Sequence, residues 1–281
     1  MRVIRTRQEM VNSSEVLRQA GEKIAFIPTM GSLHAGHLSL MELAKGHSTK
    51  RVASIFVNPK QFNVQSDFDN YPSDEERDFA LLRDVEVDLV FAPGREEIYP
   101  AGHETEVAVG ELAARFEGTD RPGHFQGVAT VVSILFNLVR PHVALFGEKD
   151  FQQVRIVERL VTDLGFPMEI VRAPLVRDSD GLALSSRNVR LSKEGRGRAL
   201  QISKALYAVK ECFSQGERDV EKMLAAGWAL LNATDGVDVE YFEAVRERDL
   251  NPVKEIVGDE PYRILTAAYV DGVRLLDNIG L

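Results

Sequence analysis

The sequence predicts an α/β fold, a doubly wound parallel sheet over residues 1–175 followed by a smaller C-terminal α+β domain over 176–281. Three observations carry this expectation. From residue 23 onward, short apolar or β-branched runs alternate with amphipathic stretches, which implies parallel strands with helices on both faces. That alternation stops near residue 175. Beyond it lie two long helical stretches and two strand-like runs able to pair antiparallel.

Each element has its own signal. KIAFIP (23–28) is an apolar run ending at proline and reads as a buried strand. HLSLMELAK follows, with Leu38, Met41 and Ala44 at helical spacing. RVASIFV (51–57) is β-branched and halts at Asn58-Pro59. SDEERDFALLRDV opens with Ser73 and carries Glu76 three residues later, a capping-box spacing. The acidic run Asp74, Glu75, Glu76 then fits a solvated first turn favoured by the helix dipole. DLVFAP (88–93) is a strand, GVATVVSILFNLV a buried helix and HVALF (142–146) another strand. DFQQVRIVERLVTDLG is a helix whose apolar face holds Val154, Val157, Leu160 and Val161. MEIVRAPLV supplies the last strand of the sheet. The later helices fall at about 192–215 and 219–234, and VDVEYFEAV and YRILTAAYV are the paired strands.

Composition excludes several classes of protein. A net charge of −9 argues against nucleic acid or an anionic membrane as the main partner, since both need a basic surface. An anionic ligand must therefore be held by a local positive cluster. Cys212 is the single cysteine, so no disulfide forms within the chain, and its helical neighbours ALYAVKECF mark it as structural. The longest apolar region, 128–139, is too short to span a bilayer. MRVIRTRQEMV lacks the apolar core of a secretory signal, so a cytoplasmic protein is expected.

Ligands of open α/β sheets sit beyond the carboxyl ends of the strands. PTMGSLHAGH, NPKQF and GEKDFQQ each follow a strand, so these three polar segments should meet on one rim. In HAGH (34–37) the imidazoles of His34 and His37 stand at i and i+3 on a first helical turn, where backbone N–H groups and the dipole favour anions. Gly31 and Gly36 let a bulky ligand approach the backbone. A turn with two incidental histidines fits the pattern equally well. In GEKD (147–150) Gly147 permits a tight turn, Lys149 is a compact cation, and Asp150 suits a helix N-cap. The glutamines that follow, Gln152 and Gln153, go beyond what a simple turn requires. DGLALSSRN (180–188) places two hydroxyls beside Arg187, a plausible phosphate grip.

Together HAGH and the SSR segment resemble the two signature elements of the nucleotidylyltransferase superfamily. NPKQF (58–62), RPGHFQGV (121–128), FGEKDFQQ (146–153) and DGLALSSRN extend the likeness along the chain to the pantoate–β-alanine ligase family. That resemblance implies a Rossmann-like first domain, a smaller second domain closing over the site, and ligation of pantoate to β-alanine with ATP through a pantoyl adenylate. It implies nucleotide contacts at Met30, Gly31, Ser32, Leu33, His34, Ala35, Gly36, His37, Gly147, Glu148, Lys149, Asp150, Val176, Leu184, Ser185, Ser186 and Arg187. Gln61 and Gln153 match the family's pantoate-binding glutamines, and His37 matches its catalytic histidine, with His34, Lys149 and Arg187 sharing the charge. Mg²⁺ beside the triphosphate and a homodimer are implied in the same way. Metal ligands are not assigned; Asp78 and Asp150 are the two acidic residues that come into question as contacts to the magnesium.

Two positions depart from the family pattern. Lys60 stands where an uncharged residue is usual, and Ser73-Asp74 replaces a common Arg-Thr. A plain nucleotidylyltransferase would share HAGH but leaves NPKQF and FQQ unexplained. A non-catalytic nucleotide-binding module would not require His37, Lys149 and Arg187 together, and ATP–pyrophosphate exchange separates it from an enzyme.

Overall fold

The computed structural model describes residues 1–281, which divide into two compact units. The first comprises Met1–Glu148 and Gln152–Pro174, and the second comprises Lys149–Phe151 and Leu175–Leu281.

The first unit begins with β1 (Arg2–Ile4), α1 (Arg7–Gln19), β2 (Ile24–Thr29), α2 (Ala35–Ala44) and β3 (Lys50–Ile55). The short helix α3 (Gln65–Asp69), α4 (Glu75–Asp84), β4 (Leu89–Phe91) and the single turns α5 (Arg95–Ile98) and α6 (Glu117–Asp120) follow. The long helix α7 (His124–Val139), β5 (Val143–Gly147), α8 (Phe151–Asp163) and β6 (Glu169–Ala173) complete the sequence of elements. Six strands form one sheet in the order β1-β4-β3-β2-β5-β6, and every pairing is parallel.

Strand periodicity divides the apolar residues between two faces. On one, Ile24, Phe26, Val52, Ala144 and Phe146 meet Met10 of α1, Phe136 of α7 and Val154, Val157, Leu160 and Val161 of α8. On the other, Ala25, Ile27, Ala53, Val90 and Leu145 meet Leu40, Met41 and Ala44 of α2 and Phe79 and Leu82 of α4. Full burial of each large side chain contributes about 1.5–3 kcal/mol, so neither face is stable uncovered.

The predicted cap of α4 is displaced by one residue. Asp74, not Ser73, is the N-cap, and its carboxylate accepts from Arg77 N at 3.1 Å. A carboxylate accepts this bond as well as a hydroxyl does and also complements the helix dipole, so the later residue wins.

The second unit carries α9 (Lys193–Ser214), α10 (Val220–Asn232) and an antiparallel sheet ordered β7 (Val237–Arg246), β8 (Tyr262–Val270), β9 (Val273–Gly280). Its core packs Ala205, Leu206 and Val209 of α9 and Met223 and Leu231 of α10 against Phe242, Ile264 and Ala268 of the sheet. The two expected strands pair antiparallel, and β9 is a third. No helix is long and apolar enough to cross a membrane.

Candidate active site

Strands β3, β2 and β5 are neighbours in the sheet, so the segments leaving their carboxyl ends start side by side, as the sequence implies. The loop after β2 is held from beneath. Asp78 of α4 is buried and accepts from Ser32 N at 2.7 Å and from Leu33 N at 2.8 Å. Burial pushes its carboxyl above the ordinary range, against the pull of those two amides. Gly31 has φ +80°, and a Cβ there would lie 2.9 Å from Asp78 Oδ2. Glycine is therefore required both by the turn and by the approach of the clamp.

The two histidines are the N-terminal lock of α2. His34 is the N-cap, and its Nδ1 accepts from Gly36 N at 3.2 Å. His37 Nδ1 accepts from His34 N at 3.3 Å, which makes the pair a reciprocal cap. The ring centroids are 4.1 Å apart. Since both rings accept through Nδ1, the proton of each neutral imidazole resides on Nε2. The fixed tautomers make two N–H donors at the helix N-terminus. The expectation of open backbone amides is largely unmet, because those of Gly31, Ser32, Leu33, His34, Gly36 and His37 are already bonded within the chain.

Gln61 sits at the end of a 3₁₀ turn, Pro59–Gln61, after β3 and is buried. Its Nε2 lies 2.9 Å from Met30 Sδ, so the first and second rim segments meet here. Asn58 Nδ2 donates to Gln61 Oε1 at 3.0 Å and to Gly127 O at 3.1 Å. Helix α7 presses on this turn so closely that a Cβ on Gly127 would be 2.3 Å from Lys60 O. From the RPGHF motif, Arg121 Nη2 and His124 Nδ1 reach Gln61 O at 3.1 and 2.8 Å. Lys60 is neutralised locally. Its ammonium is 3.1 Å from Glu106 and lies over the Tyr99 ring at 5.1 Å.

The paired glutamines diverge. Gln152 faces inward and holds the 112–117 segment, donating to Leu112 O and Arg115 O at 2.8 and 2.7 Å and accepting from Glu117 N. Gln153, the residue expected at the substrate, is half-buried on the first turn of α8.

Within the second unit, Asn278 Nδ2 of β9 donates to Lys149 O at 2.9 Å, and Arg263 of β8 stacks on Phe151 at 3.9 Å. Lys149 Nζ pairs with Asp150 Oδ1 at 3.1 Å. Asp150 ends a 3₁₀ turn, Glu148–Asp150, that runs directly into α8. Val176 and Leu184 are joined by a backbone bond of 3.0 Å that closes a small loop. Ser185 caps the 3₁₀ turn Ser186–Arg190 by accepting from Arg187 N at 3.3 Å. This loop is pinned by a buried ion pair, since Arg177 donates to both Asp277 oxygens at 2.6 and 2.8 Å. Burial pushes the Asp277 carboxyl up, while Arg177 and Asn278 N hold it down.

No three His, Cys, Asp or Glu side chains converge as a cage for a cation. Both Asp78 oxygens accept backbone amides, and Asp150 Oδ1 bonds Lys149. These residues do not fit a protein-held Mg²⁺, so no step is routed through one. Sequence reading missed Asn58, Tyr99, Arg121, His124, Asp277 and Asn278, and it did not see Asp78 as the clamp of the loop. Of these, only Asn58, Arg121 and His124 lie inside the quoted motifs.

The sequence model of the Pantoate-beta-alanine ligase family matches residues 2–280. Pantothenate synthetase of Thermotoga petrophila is 45% identical over 278 residues, covering 99% of both chains. That of Aquifex aeolicus is 49% identical over 262 residues, 93% of this chain and 92% of its own. A crystal structure of pantothenate synthetase from Thermus thermophilus superposes with TM-score 0.93 at 48% identity, covering 99% of each chain. Pantoate-beta-alanine ligase from Francisella tularensis, crystallised with beta-gamma ATP and beta-alanine, superposes with TM-score 0.82 at 33% identity, covering 99% and 97%.

Proposed function

This chain belongs to the pantoate-beta-alanine ligase family, and on that premise we propose that it joins the two substrates in two half-reactions. In the first, a pantoate carboxylate oxygen attacks the α-phosphorus of ATP, and the bond to the bridging oxygen breaks to release pyrophosphate. In the second, the β-alanine nitrogen attacks the acyl carbon, the bond to the AMP oxygen breaks, and the amine proton is lost. Such chemistry asks a protein chiefly to position reactants and stabilise developing charge.

The observation that carries this reading is the reciprocal His34–His37 cap. It fixes two Nε2–H donors at a helix N-terminus, where charge moving onto departing pyrophosphate would be met. Lys149, Ser185, Ser186 and Arg187 extend that role along the triphosphate in the proposal. Met30, Gly31, Ser32, Leu33, Ala35, Gly36, Gly147, Glu148, Asp150, Val176 and Leu184 are the further nucleotide contacts that the family resemblance implies and this proposal adopts. Mg²⁺ would be brought by the nucleotide rather than held in a protein cage, which this ion seldom needs, and would supply further neutralisation of phosphate charge beside His34, His37, Lys149 and Arg187. The homodimer rests on the family resemblance alone.

Gln61 and Gln153 are placed at pantoate, where neutral amides orient a carboxylate and hydroxyls without pairing away the nucleophile's charge. Truncating either leaves ligand groups unpaired in a shielded site, which costs about 1–3 kcal/mol. Gln61→Ala and Gln153→Ala should each lower kcat/KM for pantoate by roughly tenfold to a hundredfold on that basis, with ATP affinity little changed. Steady-state kinetics with each substrate varied, alongside calorimetric titration of ATP, makes the comparison. Equal weakening of ATP would remove these residues from the pantoate pocket.

A further inference from the structure

We propose that Tyr99 is a positioning residue for the pantoate end of the site: its hydroxyl fixes the Asn58 amide, which turns the N–H face of Gln61 toward the ligand. The proposal rests on the reading of Gln61 as a pantoate contact. It adds which face of that amide is presented, and what holds it.

Asn58 is 1% exposed, and both N–H groups and the oxygen of its side-chain amide are engaged. Its two N–H groups go to Gln61 Oε1 and to Gly127 O, at 3.0 and 3.1 Å. Its Oδ1 accepts from the Tyr99 hydroxyl at 2.7 Å and from Lys60 N at 3.3 Å. Tyr99 makes the shortest of the four bonds. Rotating the Asn58 amide by half a turn would set its oxygen against the Gly127 carbonyl and the Gln61 oxygen, and its N–H groups against the Lys60 amide. With Asn58 held, Gln61 Oε1 is already engaged, and Nε2 points to Met30 Sδ. A thioether is a weak acceptor, so a carboxylate or hydroxyl oxygen takes that donor readily. Gln61 thus selects an acceptor oxygen on pantoate rather than a donor.

The Tyr99 ring is itself immobilised. Phe56 and His103 pack against it with centroids at 6.2 and 5.0 Å, and the Lys60 ammonium lies over its face. Burial pushes the phenol well above its ordinary range, so it remains a donor throughout the physiological range. Removing the hydroxyl therefore deletes one hydrogen bond and leaves the packing in place.

The test is a double-mutant cycle of Tyr99→Phe and Gln61→Ala, read as kcat/KM for pantoate, kcat/KM for ATP and thermal midpoint. Tyr99→Phe is expected to lower kcat/KM for pantoate by about threefold to tenfold, the scale of one net hydrogen bond. The value for ATP should stay close to wild type, and the midpoint should fall by only a few degrees, about the scale of one buried hydrogen bond in a protein of this size. In the Gln61→Ala background the same change should cost nothing more, because the group it orients is gone. Fully additive losses, an unimpaired Tyr99→Phe beside an impaired Gln61→Ala, or equal losses for both substrates would each overturn the positioning role. Unaltered pantoate kinetics in Gln61→Ala would instead overturn the assignment of Gln61, and the proposal with it.

Discussion

His37→Ala is expected to slow the first half-reaction by about 10²–10³-fold, the usual scale for losing one preorganised donor aimed at developing charge. The interaction strengthens as charge moves onto pyrophosphate, so the loss belongs to the transition state rather than to bound ATP. Nucleotide affinity should fall far less, because in this account Lys149 and Arg187 still hold the phosphates. The variant also removes the acceptor for His34 N, a cap loss worth about 1 kcal/mol, which the fold absorbs. His37→Gln separates two roles. An amide N–H restores part of the rate if donation is what matters, and it does no better than alanine if proton transfer is essential. Single-turnover formation of pantoyl adenylate, with ATP affinity by calorimetry, measures both. An alanine variant that folds normally and adenylates at the wild-type rate would reduce the histidines to a helix cap.

Arg177→Ala should produce a large loss of stability. It strips a buried carboxylate of a bidentate partner, and breaking a buried pair from one side costs about 3–5 kcal/mol. The sign of its pH dependence follows from Asp277. Without the guanidinium, the folded-state pKa of this carboxyl rises further above its unfolded value. A raised acid destabilises the fold at pH values above the unfolded pKa, and the penalty fades as both states become protonated. The deficit should therefore be full near neutrality and narrow as pH falls toward the ordinary aspartate value of about 4. Denaturant midpoints of wild type and variant across that range make the measurement. Arg177→Met combined with Asp277→Leu should recover most of the loss, since an apolar pair of similar size often replaces a buried ion pair without cost.

Much of the fold was legible because the signals were local. β2, β3 and β5 are apolar runs that Pro28, Asn58 and Gly147 mark, although β2 runs through Pro28 to Thr29 and β3 already ends at Ile55, and α8 buries the four residues its spacing marks. β1 escaped because three residues carry no periodicity, and α1 because RQEMVNSSEVLRQ is largely polar. β9 was hidden for a chemical reason. Asp277 and Asn278 lie inside VRLLDNIG and are buried, paired with Arg177 and Arg263, so the strand does not alternate apolar with polar. The site followed the same division. HAGH and NPKQF were visible as motifs, but the groups that orient them were not. Asp78 clamps a loop 45 positions away and Tyr99 reaches across 41, and no spacing rule encodes such links. Gln152 and Gln153 look equivalent in sequence, and only the helix phase separates the structural one from the candidate contact.

The central claim is that pantoate is activated on the enzyme before β-alanine is needed. Isotope exchange of labelled pyrophosphate into ATP, measured with every combination of the two other substrates, tests it most directly. The account predicts exchange that requires pantoate and proceeds with β-alanine absent. Exchange that demanded β-alanine, or that ran equally well without pantoate, would contradict it.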